Sequence, residues 1–199
     1  MRTANKRSGV KLAAVSFAAA AISVTAGPAV VTVPAQPSTQ ERISFAGGRV
    51  SFVPPPGFTP LTNEEMLGKF NRSGATPPKA AVGNASRSVT IAFGLTGQQV
   101  PANDLVKVQQ VITDAYNGAG FVSRWIKNEI VELGGMRWVF FDVVTRAADT
   151  EVHNQALFGV LDLQLVAFNF NATVAEFSKV EGEMAKARQS IRVVNPPAP

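Results

Sequence analysis

The chain has 199 residues, of which 46% are hydrophobic and 17% charged, so it can build a core and does not have the composition of a disordered polymer. Its formal net charge of +5 is unevenly placed: Arg2, Lys6, Arg7 and Lys11 precede every acidic residue, and without those four the 19 basic side chains fall almost level with the 14 acidic ones. A near-neutral remainder has little grip on phosphates, which excludes nucleic acid as a partner, and the absence of cysteine excludes disulfides, thiol catalysis, thiolate zinc sites and a lipidated N-terminal cysteine.

Residues 1–26 read as a secretory signal peptide. Arg2 to Lys11 is the positive segment, Leu12 to Val24 is uncharged, and Val24-Thr25-Ala26 offers small residues at the cleavage positions, with Val33-Pro34-Ala35 as a second candidate. As a helix, Leu12 to Val24 is about 20 Å long, short of the ~30 Å hydrocarbon core of a bilayer. The chain is therefore expected to be exported, periplasmic or secreted, with membrane association only if this segment is retained. Residues 27–42 carry Pro28, Pro34 and Pro37 and read as a tether; residues 195–199 are a second proline-rich end. Residues 43–194 are left as one domain.

Within that domain a strand is predicted over Arg49 to Val53, closed by Pro54-Pro55-Pro56-Gly57, which cannot continue a ladder. A helix follows, with Thr62 and Glu65 as a capping box, Leu61 and Met66 as a staple, and Met66, Leu67 and Phe70 as its apolar face. Gly74 and Pro77-Pro78 end that segment. Ser88 to Leu95 alternates as a strand. The spacing of Leu105, Val108, Val111, Ile112 and Ala115 predicts a second helix from Asp104, capped by Asn103 and ended by Gly118 and Gly120. Four strands come next: Phe121 to Leu133, Met136 to Thr145, Val152 to Val160 and Leu165 to Ala172. Gly134-Gly135 marks the first hairpin, Ala147 to Thr150 a loop, and Leu161-Asp162 the last turn. The last helix starts at Thr173 with Glu176 as a second capping box, and buries Phe177, Val180, Met184, Ala187 and Ile191. The order β-α-β-α-β-β-β-β-α predicts an α+β fold, a largely antiparallel sheet flanked by helices.

Candidate chemistry is sparse, and no catalytic, cofactor-binding or metal-binding residue is assigned. His153 is the single histidine, without a second imidazole or thiolate to share a metal. A carboxylate pair would have to come from Asp142, Asp149, Glu151 and Asp162, which lie near strands and turns. Asp142 interrupts an apolar strand; if buried it needs a partner, for which Arg124 and Arg137 are the candidates. Gly47-Gly48 and Gly94 with Gly97 lack the spacing of a phosphate loop. Asn71, Asn84 and Asn171 begin glycosylation sequons of a length that arises readily by chance. Trp125, Trp138, Phe140, Phe141, Phe158, Phe168 and Phe170 enrich the sheet in aromatics, as core or as a surface for a partner. Phe168-Asn169-Phe170-Asn171 predicts one aromatic and one amide face, the phenylalanines against a helix.

The phrases Ser51-Phe52-Val53-Pro54 and Pro56-Gly57-Phe58, the Gly134-Gly135 hairpin leading to an aromatic strand, and Ser190-Ile191 at the end of the closing helix carry a family resemblance. Over Arg49 to Val194 the chain resembles the superfamily of PsbP and Mog1, and within it the bacterial envelope proteins of the DcrB and LpqN type. The resemblance implies an α/β/α sandwich, no shared catalytic residues, and members that bind partners or small ligands. Many DcrB- and LpqN-like members are lipoproteins; the missing cysteine keeps that anchor from carrying over. One relative group chaperones apolar segments of secreted toxins in the cytosol, at odds with the leader here. The expected function is a non-enzymatic exported cell-envelope domain that binds an unidentified envelope protein or an apolar ligand. The alternatives are a carboxylate-based hydrolase and a structural or stress-related envelope protein without a small ligand.

Overall fold

A computed structural model describes residues 41–70, 78–101, 104–147 and 150–194. The leader, the tether as far as residue 40, the proline-rich tail, and Asn71, Gly74, Asn103 and Asp149 lie outside the described residues. In chain order the elements are β1 (Ile43–Phe45), β2 (Val50–Phe52), β3 (Thr59–Pro60), α1 (Asn63–Phe70), β4 (Ala80–Gly83), β5 (Val89–Gln99), α2 (Leu105–Gly118), β6 (Val122–Leu133), β7 (Met136–Ala147), β8 (Thr150–Leu161), β9 (Gln164–Thr173), α3 (Val174–Gln189) and β10 (Arg192–Val193).

The fold is α+β, as the pattern predicts, but the strands form two sheets. A seven-stranded sheet runs β3-β4-β5-β9-β8-β7-β6, and β2 sits in a separate small sheet, β1-β2-β10. Every pairing is antiparallel. Strands β1, β3, β4 and β10 are too short to show a sequence period, which is why the predicted order lacks them.

Alternation along the strands sends Val82, Ile91, Phe93, Trp138, Phe140, Leu157, Phe168 and Phe170 to one face, where Val50 and Phe52 of β2 and Phe177, Met184 and Ala187 of α3 close over them. Residues of the opposite parity, including Val139, Phe141, Ala156 and Phe158, meet Leu105, Val108, Ile112 and Tyr116 of α2. Over β4 and β5 that second face is covered by Leu61 and by Met66 and Phe70 of α1, packed against Ala81 and Ala92. The long strands β7, β8 and β9 are thus buried on both sides.

The cap chemistry is partly as predicted. Thr62 and Glu65 form the reciprocal box, at 2.7 Å to the Thr62 amide and 3.2 Å to the Glu65 amide. At α3 the Thr173 hydroxyl accepts from the Glu176 amide, but the Glu176 carboxylate turns to Lys179 instead of closing a second box. The N-cap of α2 is Asp104, which makes no side-chain cap bond, in place of Asn103. Leu67 is 52% exposed because the short α1 presents only Met66 and Phe70 inward. Burial on α2 reaches Tyr116, one position beyond Ala115, and burial alone pushes its phenol pKa up to about 12. The last hairpin turns on Asp162 and Leu163, both at positive φ, one residue later than predicted. Phe168 packs against Phe45, Phe52 and Trp138, so it faces the small sheet where a helix was expected.

Gly134 and Gly135 turn at φ of 60° and 87°, the geometry of a tight hairpin. A Cβ at Gly134 would stand 2.3 Å from the Ile191 carbonyl oxygen, where β10 passes the turn. Gly134→Ala is expected to cost about 2–3 kcal/mol through this clash and the left-handed backbone. Gly182, on an open face of α3, meets nothing within 4 Å, and Gly182→Ala is expected to add about 1 kcal/mol. Urea denaturation of the two variants checks both signs.

Candidate functional site

Strand register brings Asp142 of β7 directly opposite Gln155 of β8, with His153 two residues along on the same face. That face lies under α3. Asp142 is 6% exposed, and its carboxylate accepts from His153 Nε2 at 2.5 Å and from Gln155 Nε2 at 2.8 Å. The Gln155 carbonyl oxygen in turn accepts a short hydrogen bond from Arg188 of α3. The amide of Gln155 is thereby oriented from both ends, its oxygen to the guanidinium and its nitrogen to the carboxylate. Aromatic rings complete the shell. The His153 ring stacks on Phe177 at 3.7 Å between centroids, and the Arg188 guanidinium lies 4.8 Å over the Phe140 ring.

Burial alone would raise the Asp142 pKa. The hydrogen bonds from His153 and Gln155 and the charge of Arg188 outweigh it and hold the carboxyl below its ordinary range. Arg124 and Arg137, the expected partners, are both exposed on the edge side of the sheet. The true partners, His153 and Gln155, were invisible to local reading because the β7–β8 register selects them, and Arg188, which holds Gln155, lies on a helix near the far end of the chain.

Of the other candidate acids, the described Asp162 and Glu151 do not join this cluster. Asp162 is paired with Arg49 at the far hairpin. Glu151 is exposed and lines an open hollow of about 730 Å³ with Arg146 and Thr173, the lone carboxylate among its described lining residues. Among the described residues no group of three His, Asp or Glu side chains could hold a metal. The His153–Asp142 pair has no described hydroxyl hydrogen-bonded to the imidazole, so the geometry that activates a nucleophile is not assembled here. The aromatics are core: Trp138, Phe141, Phe158, Phe168 and Phe170 are fully buried, and Trp125 packs against Tyr116 while its ring nitrogen donates to Asn117. No aromatic surface of the expected kind is presented by them.

A cleft of about 330 Å³ lies between the proline run and α3, lined by Val53, Pro54, Pro55, Pro56, Glu183, Lys186, Ala187 and Ser190. The Ser190 hydroxyl accepts from the Val53 amide at 2.7 Å and ties the proline segment to the helix end. The family phrases Pro54 to Phe58 and Ser190-Ile191 therefore meet in space.

With this sheet order and this junction in view, the solved structures can be compared. A cyanobacterial PsbP from Synechocystis sp. PCC 6803 superposes with a TM-score of 0.56 at 15% identity, covering 84% of this chain and all of that one. The chain shares the PsbP fold. LpqN of Mycobacterium tuberculosis, a protein involved in cell envelope biogenesis, matches with a TM-score of 0.51 at 10% identity, covering 78% of this chain and 90% of its own. The Ran-binding protein Mog1p of Saccharomyces cerevisiae gives 0.49 at 15% identity, covering 78% of this chain and 95% of its own. No family model and no curated protein matches the sequence.

On the other side of this PsbP-type sheet lies a strip of buried amides. Asn171 stands opposite Asn154 and Thr90, and Asn169 lies between Ala156 and Ala92. Thr90 donates to Asn171 at 2.6 Å and Asn154 to Thr145 at 2.9 Å, but neither side-chain atom of Asn169 has a partner in the protein. Asn171 is fully buried, which removes it as a glycosylation acceptor.

Two outcomes follow from these networks. A carboxyl with a lowered folded pKa adds stability that is present above about pH 4 and is lost as pH falls through the folded value. Asp142→Asn puts an amide nitrogen against a donor and is expected to cost about 2 kcal/mol at pH 7. Its deficit against wild type should shrink as pH falls below about 4, as read by urea denaturation across pH. Asn169→Leu removes two unpartnered polar atoms and is expected to raise the melting temperature by about 2–4 °C, whereas Asn171→Leu strands the Thr90 hydroxyl and lowers it.

Proposed function

We propose that the chain is an exported domain of the bacterial cell envelope that acts by binding a protein partner and not by catalysis. The observation that carries this reading is the cleft between Pro54–Pro56 and α3. Three consecutive prolines hold one wall rigid, so little entropy is lost when a segment docks against it. Its rim carries one acid, Glu183, and one base, Lys186, which suits an uncharged, partly apolar peptide segment. At about 330 Å³ the cleft accommodates one or two side chains of a partner and is at the lower bound for a small-molecule pocket. The closed state of the Asp142 cluster favours binding over a carboxylate hydrolase, because each of its groups is already engaged within the protein. The leader-like residues 1–26 and the fold shared with an envelope protein of Mycobacterium tuberculosis support the location.

Because the chain is free of cysteine, a single Lys186→Cys carries a photo-crosslinker to the cleft without further changes. In cells of the native host, a discrete crosslink to one envelope protein is expected from residue 186 and not from a probe at Lys107, exposed on α2 across the sheet. Equal labelling from both positions, or none, would refute the protein-partner reading. A lipid adduct at residue 186 would replace it with the apolar-ligand one.

A further inference from the structure

Strand β6 ends the seven-stranded sheet, and among the described residues it pairs with β7 alone. Its outer edge carries backbone donors and acceptors with no strand to meet them. Arg124, Ile126, Lys127, Asn128, Glu129 and Glu132 are exposed along it, and Ile126 is 44% exposed. The order of these residues is self-complementary. If a second copy of β6 is laid antiparallel with the two-fold axis through Asn128, Lys127 falls opposite Glu129 of the other copy, and Glu129 opposite Lys127. Directly opposed residues of an antiparallel pair share a face, as Lys127 and Glu129 do here, both being in register with even-numbered residues of β7.

The centre of that edge is braced. Asn128 Oδ1 accepts from Gln109 at 2.6 Å, and its amide nitrogen donates to Thr113 at 2.9 Å, so α2 holds the strand at the point where the axis would pass. A bulge at Ile126, between Trp125 and Lys127, limits straight pairing towards the N-terminal end. The charges of an edge strand ordinarily repel other strands. Here opposite signs are placed symmetrically about one residue, so they admit one partner in one register. We propose that β6 is the interface of a homodimer, in which two copies join edge to edge about Asn128 and their sheets become continuous.

The test is sedimentation equilibrium of the protein as recovered from its host, over micromolar to millimolar concentrations. A monomer–dimer equilibrium is expected. Lys127→Glu and Glu129→Lys each set like charges opposite one another twice per dimer, and each should weaken association about tenfold or more. The double swap Lys127→Glu with Glu129→Lys restores opposite charges in both pairs and should recover the wild-type equilibrium. Both positions are exposed, so circular dichroism should be unchanged and association alone should move. A monomer at millimolar concentration overturns the proposal. So does a dimer indifferent to the single swaps, or one not rescued by the double swap. None of these outcomes bears on the cleft at α3, which is probed separately at Lys186.

Discussion

The structure depends on one constraint: β7, β8 and β9 are covered on both faces, so every polar group on them must be answered from inside the protein. Burial without a partner costs about 1–3 kcal/mol for each neutral polar group, and more for a charge. The α3 side meets this constraint fully. Asp142 is held by His153 and Gln155, and Gln155 by Arg188, with Phe177 packed against the His153 ring and Phe140 against the Arg188 guanidinium. The network fastens α3 to the sheet at one place along a helix whose other contacts, through Phe177, Met184 and Ala187, are apolar and non-directional.

That fastening positions the proposed binding cleft. The C-terminal end of α3 is fixed by the Arg188 contact and by Ser190, whose hydroxyl reaches Val53 at the start of the proline run. Arg42 also reaches the Ser190 carbonyl at 2.9 Å, so the first described residues return to the same junction. The cleft wall and the helix that faces it are therefore set by the same few side chains. The opposite side of the sheet meets the constraint only in part, since Asn169 lies between two alanines and its amide finds no partner. The two faces of one sheet thus differ in kind: one holds a closed charge network and the other an incomplete amide strip.

The edges of the sheet differ too. At one end β3 is two residues long and follows a proline–glycine turn, a form that offers little to pair with. At the other, β6 runs twelve residues and is braced at its middle by α2. The protein protects its short edge by geometry and its long edge by charge, and the order of the charges allows the long edge a single register with its own copy.

What was legible in the sequence was local. The 3–4 spacing along α2 and α3, the Thr62–Glu65 box, the alternation of Phe168 to Asn171 and the Gly134-Gly135 turn all act within a few residues, and periodicity and cap chemistry reveal them directly. The α+β class and the antiparallel hairpin series followed from these. Strands of two to four residues carry no period, so the second sheet and its role as a lid over Phe168 could not be read. The partner of Asp142 was likewise out of reach. A carboxylate on β7 meets whatever the register of β8 brings opposite it, here His153 and Gln155, and Gln155 is held in turn only once α3 docks and brings Arg188 to it. The sequence by itself determined which segments are strands and helices and which side of each is apolar, because those depend on neighbours along the chain. Only the tertiary structure decided which groups meet, because neighbours in space are chosen by register, by helix docking and by the cost of burying anything left unpaired.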